Sequence, residues 1–179
     1  MIARYFKGIQ PHINLAEIAA EIAFLPGAPE RALEIAKNFS NCTRVTAQRE
    51  FVTYKGELEG KEVCATSTGV GCPSAAIVVE ELANCGVKTF IRVGTTGAIR
   101  QDIELGEVVI PEAAVRDDGT TKEYIGNGDP AAVATPEVVA ALRKSAKETA
   151  VRHRVGTVRT NDAFYGASDF EGVMTRYQH

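Results

Sequence analysis

The sequence lacks the two glycine patterns that commonly mark a nucleotide phosphate site. It contains no G-x-x-x-x-G-K-[ST] motif, and no G-x-G-x-x-G motif followed by an acidic residue. An ATP-type or dinucleotide-type site is therefore not expected. What remains is a small anion held by arginines and by the backbone amides of separate glycine turns.

Clustered positive charge is also lacking. The formal net charge is −3, and the lysines and arginines are scattered rather than interleaved with aromatic residues. This argues against nucleic acid as the main partner, because binding to its backbone relies on clustered positive charge. No apolar run reaches membrane-spanning length, and the N-terminus contains no apolar signal-peptide core. We therefore expect no membrane partner.

The cysteines do not form a metal-binding or redox pattern. The four cysteines are Cys42, Cys64, Cys72 and Cys85. No two of them form a C-x-x-C pair, and no histidine lies at metal-ligand spacing from them. We predict reduced, mostly buried thiols, no bound metal and a cytoplasmic location.

Strand-like and helix-like segments alternate along the chain, without repeats or an obvious linker. With 179 residues, 45% of them hydrophobic, the chain is expected to form one domain over residues 1–179. The alternation predicts an α/β fold, with three α/β/α layers around a central mixed, twisted sheet. Helices are predicted over 29–39, 75–85 (capped by Ser74 and closed by Gly86) and 136–150. Strands are predicted over 51–58, 62–66 (a hairpin turning at 59–61), 87–93, 107–110 and 155–160.

The stretch from Thr89 to Gly97 joins an apolar segment to a turn with two glycines and two threonines, and Arg92 ends the segment. Ligands of α/β proteins bind where strands end. Glycines let backbone N–H groups approach an anion, and arginine offers a fork of donors that suits phosphate. The stretch predicts an anion site; the alternative is an ordinary turn beside a salt-bridged arginine.

Two more glycine turns, at 25–31 and 66–74, favour the anion site over that alternative. They make Arg31 a second candidate ligand, and Arg49 is a third. Judged from its own neighbourhood, Arg49 would more simply form a surface ion pair with Glu50.

Together these motifs resemble the hexameric nucleoside phosphorylase family, which includes uridine phosphorylases, bacterial-type purine nucleoside phosphorylases and archaeal methylthioadenosine phosphorylases. The similarity runs from about residue 11 to the last residue, and its specificity lies in the order and spacing of short pieces. These pieces are Pro11-His12-Ile13-Asn14, Pro26-Gly27-x-Pro29-x-Arg31, Arg49-Glu50-Phe51, Thr68-Gly69-Val70-Gly71-x-Pro73-Ser74, Val79-Glu80-Glu81-Leu82, Arg92-Val93-Gly94-Thr95-Thr96-Gly97-Ala98 and Asp162-Ala163-Phe164-Tyr165.

The resemblance implies site residues. It implies that five residues bind phosphate: Gly27, Arg31, Arg49, Arg92 and Thr95. Of these, Arg92 and Thr95 are also the expected catalytic residues. It places the nucleoside on His12 at the ribose 5′ end, on Phe164 stacked against the base, and on Thr96 and Gly97. Arg49 and His12 would come from a neighbouring subunit, so a dimer is the minimal site unit and a hexamer, a trimer of dimers, is expected.

The implied activity is that of a pentosyltransferase. It would cleave the N-glycosidic bond of a purine nucleoside or uridine, with inorganic phosphate as co-substrate and with no cofactor. Two alternatives stay open. One is a nucleosidase of the same superfold. The three arginines expected to bind phosphate, Arg31, Arg49 and Arg92, argue against it, because a hydrolase does not need them. The other is a non-catalytic phosphate-binding subunit.

The sequence departs from the family pattern near its C-terminal end. The family's acidic ribose-binding motif and the proton-donating aspartate of its purine enzymes would follow the last residue. We therefore expect a shortened form with weak activity at most. Residues 166–170 lack the Gln-x-Arg pair of the uridine branch, which slightly favours purine nucleosides. A final helical stripe is expected to be disordered, aggregation-prone or paired with another chain: Phe170, Val173, Met174 and Tyr177.

Four other polar positions are not expected to take part in catalysis. Asp162 is expected to cap the turn that follows it, and His153 is expected to be a solvated loop residue without a role. Glu80 and Glu81 are expected to be solvated helix positions or an interface pair.

Overall fold

The computed structural model describes residues 8–164. These residues form two compact units, one up to Thr95 and one from Thr96 onward. Each unit has its own sheet, with five strands in the first and two in the second.

The first unit is built on a mixed sheet with the strand order β2-β3-β4-β1-β5. The strands are β1 (Ile22–Leu25), β2 (Ser40–Gln48), β3 (Phe51–Leu58), β4 (Lys61–Thr66) and β5 (Thr89–Arg92). Strand β1 runs parallel to both β4 and β5, whereas β2–β3 and β3–β4 are antiparallel pairs. Two helices accompany the sheet, α1 (Pro29–Ala36) and α2 (Cys72–Asn84).

The two faces of this sheet are covered by different helices. Because successive strand residues point to opposite faces, Leu25 packs in one cluster with Val78 and Leu82 of α2. Its neighbour Phe24 packs in the other cluster with Ala32 of α1. The arrangement is helix, sheet, helix, so the predicted three-layer α/β/α class with a mixed sheet is confirmed.

The β3–β4 hairpin confirms the predicted turn. Leu58 pairs with Lys61, so the turn consists of Glu59 and Gly60 alone. Both have positive φ, 53° and 73°, which is the backbone that a two-residue hairpin of this hand requires. Lys61 therefore belongs to the strand and not to the turn.

Helix α2 begins earlier than the sequence predicted. Its N-cap is Gly71, and Pro73 lies in its first turn. Ser74 is not the cap, because it already lies inside the helix. Its hydroxyl donates to the carbonyl of Thr68 at 2.6 Å instead. Gly86, with φ of +107°, follows the end of the helix as predicted.

Strands β5 and β2 differ from what the sequence predicted. The segment predicted as a buried strand over 87–93 is shorter, Thr89–Arg92, and its side chains are half-buried or exposed because β5 is the last strand of its sheet. Strand β2 was not predicted, since seven of its nine residues are exposed and show no apolar alternation.

The second unit pairs two parallel strands, β6 (Val108–Asp117) and β7 (His153–Asn161). Helix α4 (Pro136–Glu148) begins at Thr135-Pro136 as predicted, although the Thr135 side chain makes no capping bond. Its apolar face packs Val139 and Ala146 against Ile110 of β6. The short helix α3 (Gly119–Ile125) was not predicted, and Asp118 caps it.

The predicted C-terminal stripe and the stretch 166–170 lie outside the described residues. Within residues 8–164, no helix is both long and apolar enough to cross a membrane.

Candidate anion-binding site

Three chain turns meet at the carboxyl ends of β4, β1 and β5. The strands are parallel neighbours, so their carboxyl ends lie at one edge of the sheet. Backbone hydrogen bonds join the turns to each other. Thr68 N–H donates to the carbonyl of Pro26 at 2.9 Å, and Gly69 N–H to that of Gly27 at 3.0 Å. This places the predicted glycine turns side by side, on backbone bonds that do not depend on side chains.

Two arginines converge on Gly27. A Cβ atom built on Gly27 would lie 3.4 Å from Nη2 of Arg31 and 3.5 Å from Nη2 of Arg92. Arg31 reaches this point from the first turn of α1, and Arg92 from the last residue of β5. Within residues 8–164, neither arginine has a carboxylate oxygen within 4 Å. Two positive groups thus face one small volume without a negative partner there.

Electrostatics at Arg92 show the same imbalance. Burial lowers the pKa of the Arg92 guanidinium, and the neighbouring positive charge of Arg31 lowers that pKa further. An arginine keeps its charge despite such a shift. An anion bound beside the two guanidinium groups would oppose both effects.

The Arg92 head is held in position by carbonyl groups. Its Nη1 donates to the carbonyl of Leu25 at 3.1 Å and to that of Val93 at 2.7 Å. These bonds leave Nη2 directed at Gly27. Gly94 also lies close, since a Cβ built there would be 2.8 Å from Nη1 of Arg92. The arginine therefore folds back over its own turn, and a side chain at Gly94 would displace the Arg92 head.

Gly27 itself offers one more donor. Its carbonyl accepts from Gly69, but its N–H has no acceptor among the described residues. An N–H group at this point, flanked by two guanidinium groups, matches the donor set expected for a bound oxyanion.

The other residues of the predicted glycine–threonine turn are exposed. Thr95 follows β5 within the first unit, and its hydroxyl has no partner in the described part of the chain. Thr96 and Gly97 open the second unit, where the Thr96 hydroxyl donates to the carbonyl of Gly97 at 3.2 Å. Their predicted roles in binding phosphate and nucleoside stay predictions.

Arg49 lies in the two-residue turn that joins β2 to β3. It is exposed and has a positive φ of 53°. The alternative expectation of an ion pair with Glu50 is wrong for the described residues, because no nitrogen of Arg49 lies within 4 Å of a Glu50 carboxylate oxygen; Oε1 of Glu50 lies 3.3 Å from the Ser74 hydroxyl oxygen instead. The predicted role of Arg49 on a neighbouring subunit stays a prediction.

His12 is held by a buried carboxylate, that of Glu81. Its Nδ1 lies 2.6 Å from Oε1 of Glu81. Glu81 is only 6% exposed, so the expectation of a solvated or interface position is wrong for this residue. A signal was available, because Glu81 lies three residues after Val78 and next to Leu82, on the buried stripe of α2.

The predicted base-stacking residue and its neighbours belong to the second unit. Phe164 follows β7 and is 87% exposed. Asp162 does not cap the turn after it, because its carboxylate accepts from the N–H of Gly119, the first residue of α3, at 2.7 Å. His153 begins β7 rather than lying in a loop, and its Nδ1 lies 2.9 Å from the carbonyl of Val151.

Comparison with known proteins identifies the class. Residues 21–177 match the Phosphorylase superfamily, and the chain belongs to that family. Uridine phosphorylase of Treponema pallidum (strain Nichols) is 45% identical over 163 residues, which cover 90% of this chain and 63% of that protein.

Relatives named uridine phosphorylase and guanosine phosphorylase match this chain at similar sequence identity. Uridine phosphorylase of Thermococcus kodakarensis is 42% identical over 160 residues, covering 89% of this chain and 57% of that protein. Guanosine phosphorylase of Halorubrum lacusprofundi is 38% identical over 161 residues, covering 89% and 66%. The chain thus spans about three fifths of the length of the curated relatives it matches.

Proposed function

We propose that this chain is a nucleoside phosphorylase subunit, a pentosyltransferase that uses inorganic phosphate to cleave an N-glycosidic bond. The products would be the base and ribose 1-phosphate or its deoxy form. Membership of the Phosphorylase superfamily and the names of the relatives support this proposal.

The observation that carries the proposal is the pair of guanidinium groups at Gly27. Two arginine heads meet there without a carboxylate within 4 Å in the described part of the chain. Such an arrangement is unfavourable in an empty protein and favourable around an anion with up to two negative charges. A hydrolase that uses water has no need for it.

The chemistry of phosphorolysis fits these residues. Phosphate must lose water and be aimed at C1′ of the sugar, which fixed arginines achieve. Its negative charge then stabilises the positive charge that develops on the sugar as the base leaves. We assign Arg92 and Thr95 as the catalytic residues that hold the attacking phosphate, with Arg31 and the Gly27 N–H as further ligands.

The remaining contacts are proposed from the family resemblance. His12 would bind the sugar, Phe164 would stack on the base, and Thr96 and Gly97 would line the nucleoside. The names of the relatives put uridine and guanosine first among substrates to test, and the prediction that purine nucleosides are preferred stays open.

Assembly is part of the proposal. Arg49 and His12 would complete the site of an adjacent subunit, which makes a dimer the minimal unit and a trimer of dimers the expected complex. The exposed position of Arg49 at a hairpin tip is compatible with a contact made outside its own subunit. The cytoplasmic location expected from the cysteines is retained as a prediction.

Isothermal titration with inorganic phosphate tests the site directly. Wild-type protein should bind phosphate, and Arg92→Ala should weaken binding about 30- to 4,000-fold, because losing one partner of a charge pair costs roughly 2–5 kcal/mol. Arg44→Ala is the matched control, since Arg44 is an exposed arginine of β2 outside the site. Equal affinity in wild type and Arg92→Ala would remove the assignment.

A nucleoside panel then separates the functional alternatives. Uridine, guanosine, inosine, adenosine and methylthioadenosine are incubated with and without phosphate, and release of the base is measured. Phosphate-dependent release supports a phosphorylase, and phosphate-independent release shows a nucleosidase. Phosphate binding without any turnover shows a phosphate-binding subunit that is not catalytic in this form.

A further inference from the structure

Glu81 is a buried carboxylate that the anion site does not use. It lies on α2 and accepts hydrogen bonds from one short segment of the chain. Its Oε2 accepts from the N–H of Ile13 at 2.8 Å and from that of His12 at 3.1 Å. Its Oε1 faces Nδ1 of His12 at 2.6 Å. Within residues 8–164, no lysine or arginine lies within 4 Å of it, so these donors alone stabilise its charge.

The contact at Oε1 determines which ring nitrogen carries a proton. An ionised carboxylate has acceptors only, so Nδ1 of His12 must donate. In the neutral ring the other nitrogen, Nε2, is then an acceptor. No described residue bonds to Nε2, and the side chain is 36% exposed. The His12 ring also packs against Phe51 in a T-shaped contact, with ring centroids 6.2 Å apart and ring planes at 90°. This contact restricts the orientation of the imidazole.

We propose that Glu81 is a positioning residue that fixes His12 in the Nδ1-protonated form, so that Nε2 accepts a hydrogen bond from a sugar hydroxyl of the nucleoside. This inference rests on the proposed function. A ligand group with no hydrogen to donate, such as a thioether or an ether, would not satisfy Nε2. Glu81 therefore makes the site selective for nucleosides with a free hydroxyl at the position that meets His12.

The variant Glu81→Gln tests the idea with little change of shape. The N–H of Ile13 donates only to Oε2, whereas the N–H of His12 is shared between Oε2 at 3.1 Å and Oε1 at 3.2 Å, so the glutamine carbonyl should occupy the Oε2 position. Its NH₂ group would then face Nδ1 of His12 and donate to it. The histidine would switch to the Nε2-protonated form, and the acceptor offered to the ligand would become a donor. Glu80→Gln, with the same charge change one residue earlier, is the matched control.

Long-range ¹H–¹⁵N correlation spectra, recorded at alkaline pH, distinguish the two forms of a neutral imidazole. The chain has three histidines, and His12→Asn identifies the relevant signal. We expect Nδ1 protonation in wild type and in Glu80→Gln, and Nε2 protonation in Glu81→Gln. Nε2 protonation in wild type, or no switch in a folded Glu81→Gln, overturns the positioning role.

A binding measurement tests the ligand side. Titrations with uridine and guanosine, and with their analogues in which one sugar hydroxyl is replaced by a methyl ether, should show in wild type a penalty of about tenfold for the ether at the position that meets His12. Glu81→Gln should remove most of that penalty, because a protonated Nε2 donates to an ether oxygen as well as to a hydroxyl oxygen, and phosphate affinity should stay within about twofold. A switched histidine without change in this selectivity refutes the hydroxyl contact. If wild type binds no nucleoside, the proposed function fails, while the spectra still decide whether Glu81 positions His12.

Discussion

Replacing Gly94 with alanine tests whether the position of the Arg92 guanidinium controls phosphate binding. Gly94 does not have a positive φ, so its backbone accepts alanine without strain. The new Cβ would lie 2.8 Å from Nη1 and 3.3 Å from Cζ of Arg92. Contacts this short are not tolerated, so one group must move. The arginine head is the far end of a flexible side chain, and it should move first.

The size of the effect follows from the bonds that the head makes. Moving it away from Gly94 weakens its bonds to the carbonyls of Leu25 and Val93, now 3.1 and 2.7 Å. It also redirects Nη2 away from Gly27. One charge-assisted hydrogen bond is worth about 1.5–3 kcal/mol. Phosphate affinity should therefore fall about 10- to 150-fold, whereas the free energy of unfolding should change by less than about 0.5 kcal/mol, as is usual for surface substitutions.

Calorimetric titration with phosphate and urea unfolding of the same samples check both numbers. Gly156→Ala is the matched control, because Gly156 also lacks a positive φ and a Cβ built on it meets nothing within 4 Å. If Gly94→Ala binds phosphate as tightly as wild type, then either the arginine head does not hold the anion or its position is unimportant. A loss of affinity that parallels a loss of stability would show unfolding instead.

Three further outcomes are expected. Burial raises the pKa of the Cys64 thiol to about 12, so native protein should react with a thiol reagent faster at exposed Cys42, and Cys42→Ser should remove the fast phase. Desolvation tends to raise the pKa of Asp118, but bonds from the Thr121 N–H and hydroxyl outweigh it and lower that pKa below 3.8. Asp118→Ala should thus cost about 1 kcal/mol of unfolding free energy near pH 7. The cost should begin to shrink as the pH falls below 3.8, where the unfolded chain binds a proton before the folded carboxylate does, and should be smallest once the folded carboxylate is protonated too; a cost that does not change as the pH is lowered through this range would contradict this. Finally, Arg49→Ala and Arg92→Ala chains that are each inactive should regain activity when they are mixed and reassembled, because a site with an intact Arg92 can then receive an intact Arg49 from its neighbour. No recovery of activity would mean that Arg49 acts in the site of its own subunit or in no site.

Local rules predicted the parts of the fold that local geometry decides. The start of α1 follows from Pro29, whose fixed φ and missing N–H suit a first helical position. The β3–β4 turn follows from Gly60, which adopts positive φ at little cost. Strand β2 could not be predicted, because most of its residues are exposed and show no apolar alternation.

The candidate site could be predicted only in part. Arg31 and Arg92 were selected because each accompanies a glycine turn, but their approach to Gly27 depends on β1 pairing with β5. Glu81 was misjudged because its partners, the N–H groups of His12 and Ile13, come from a segment far away in sequence. A charged residue on a buried helix face indicates a partner, but the sequence does not say which.

The order of strands has a consequence for synthesis of the chain. Strand β1 is made first, yet both of its neighbours in the sheet, β4 and β5, are made later. As the chain leaves the ribosome, β1 lacks its neighbour β4 until Thr66 has emerged and its neighbour β5 until Arg92 has emerged. The pairing of β5 with β1 then completes the sheet and also brings Arg92 close to Arg31. This core depends on distant contacts, so it should fold slowly, and a chaperone that covers residues 22–25 during synthesis should raise the yield of protein able to bind phosphate.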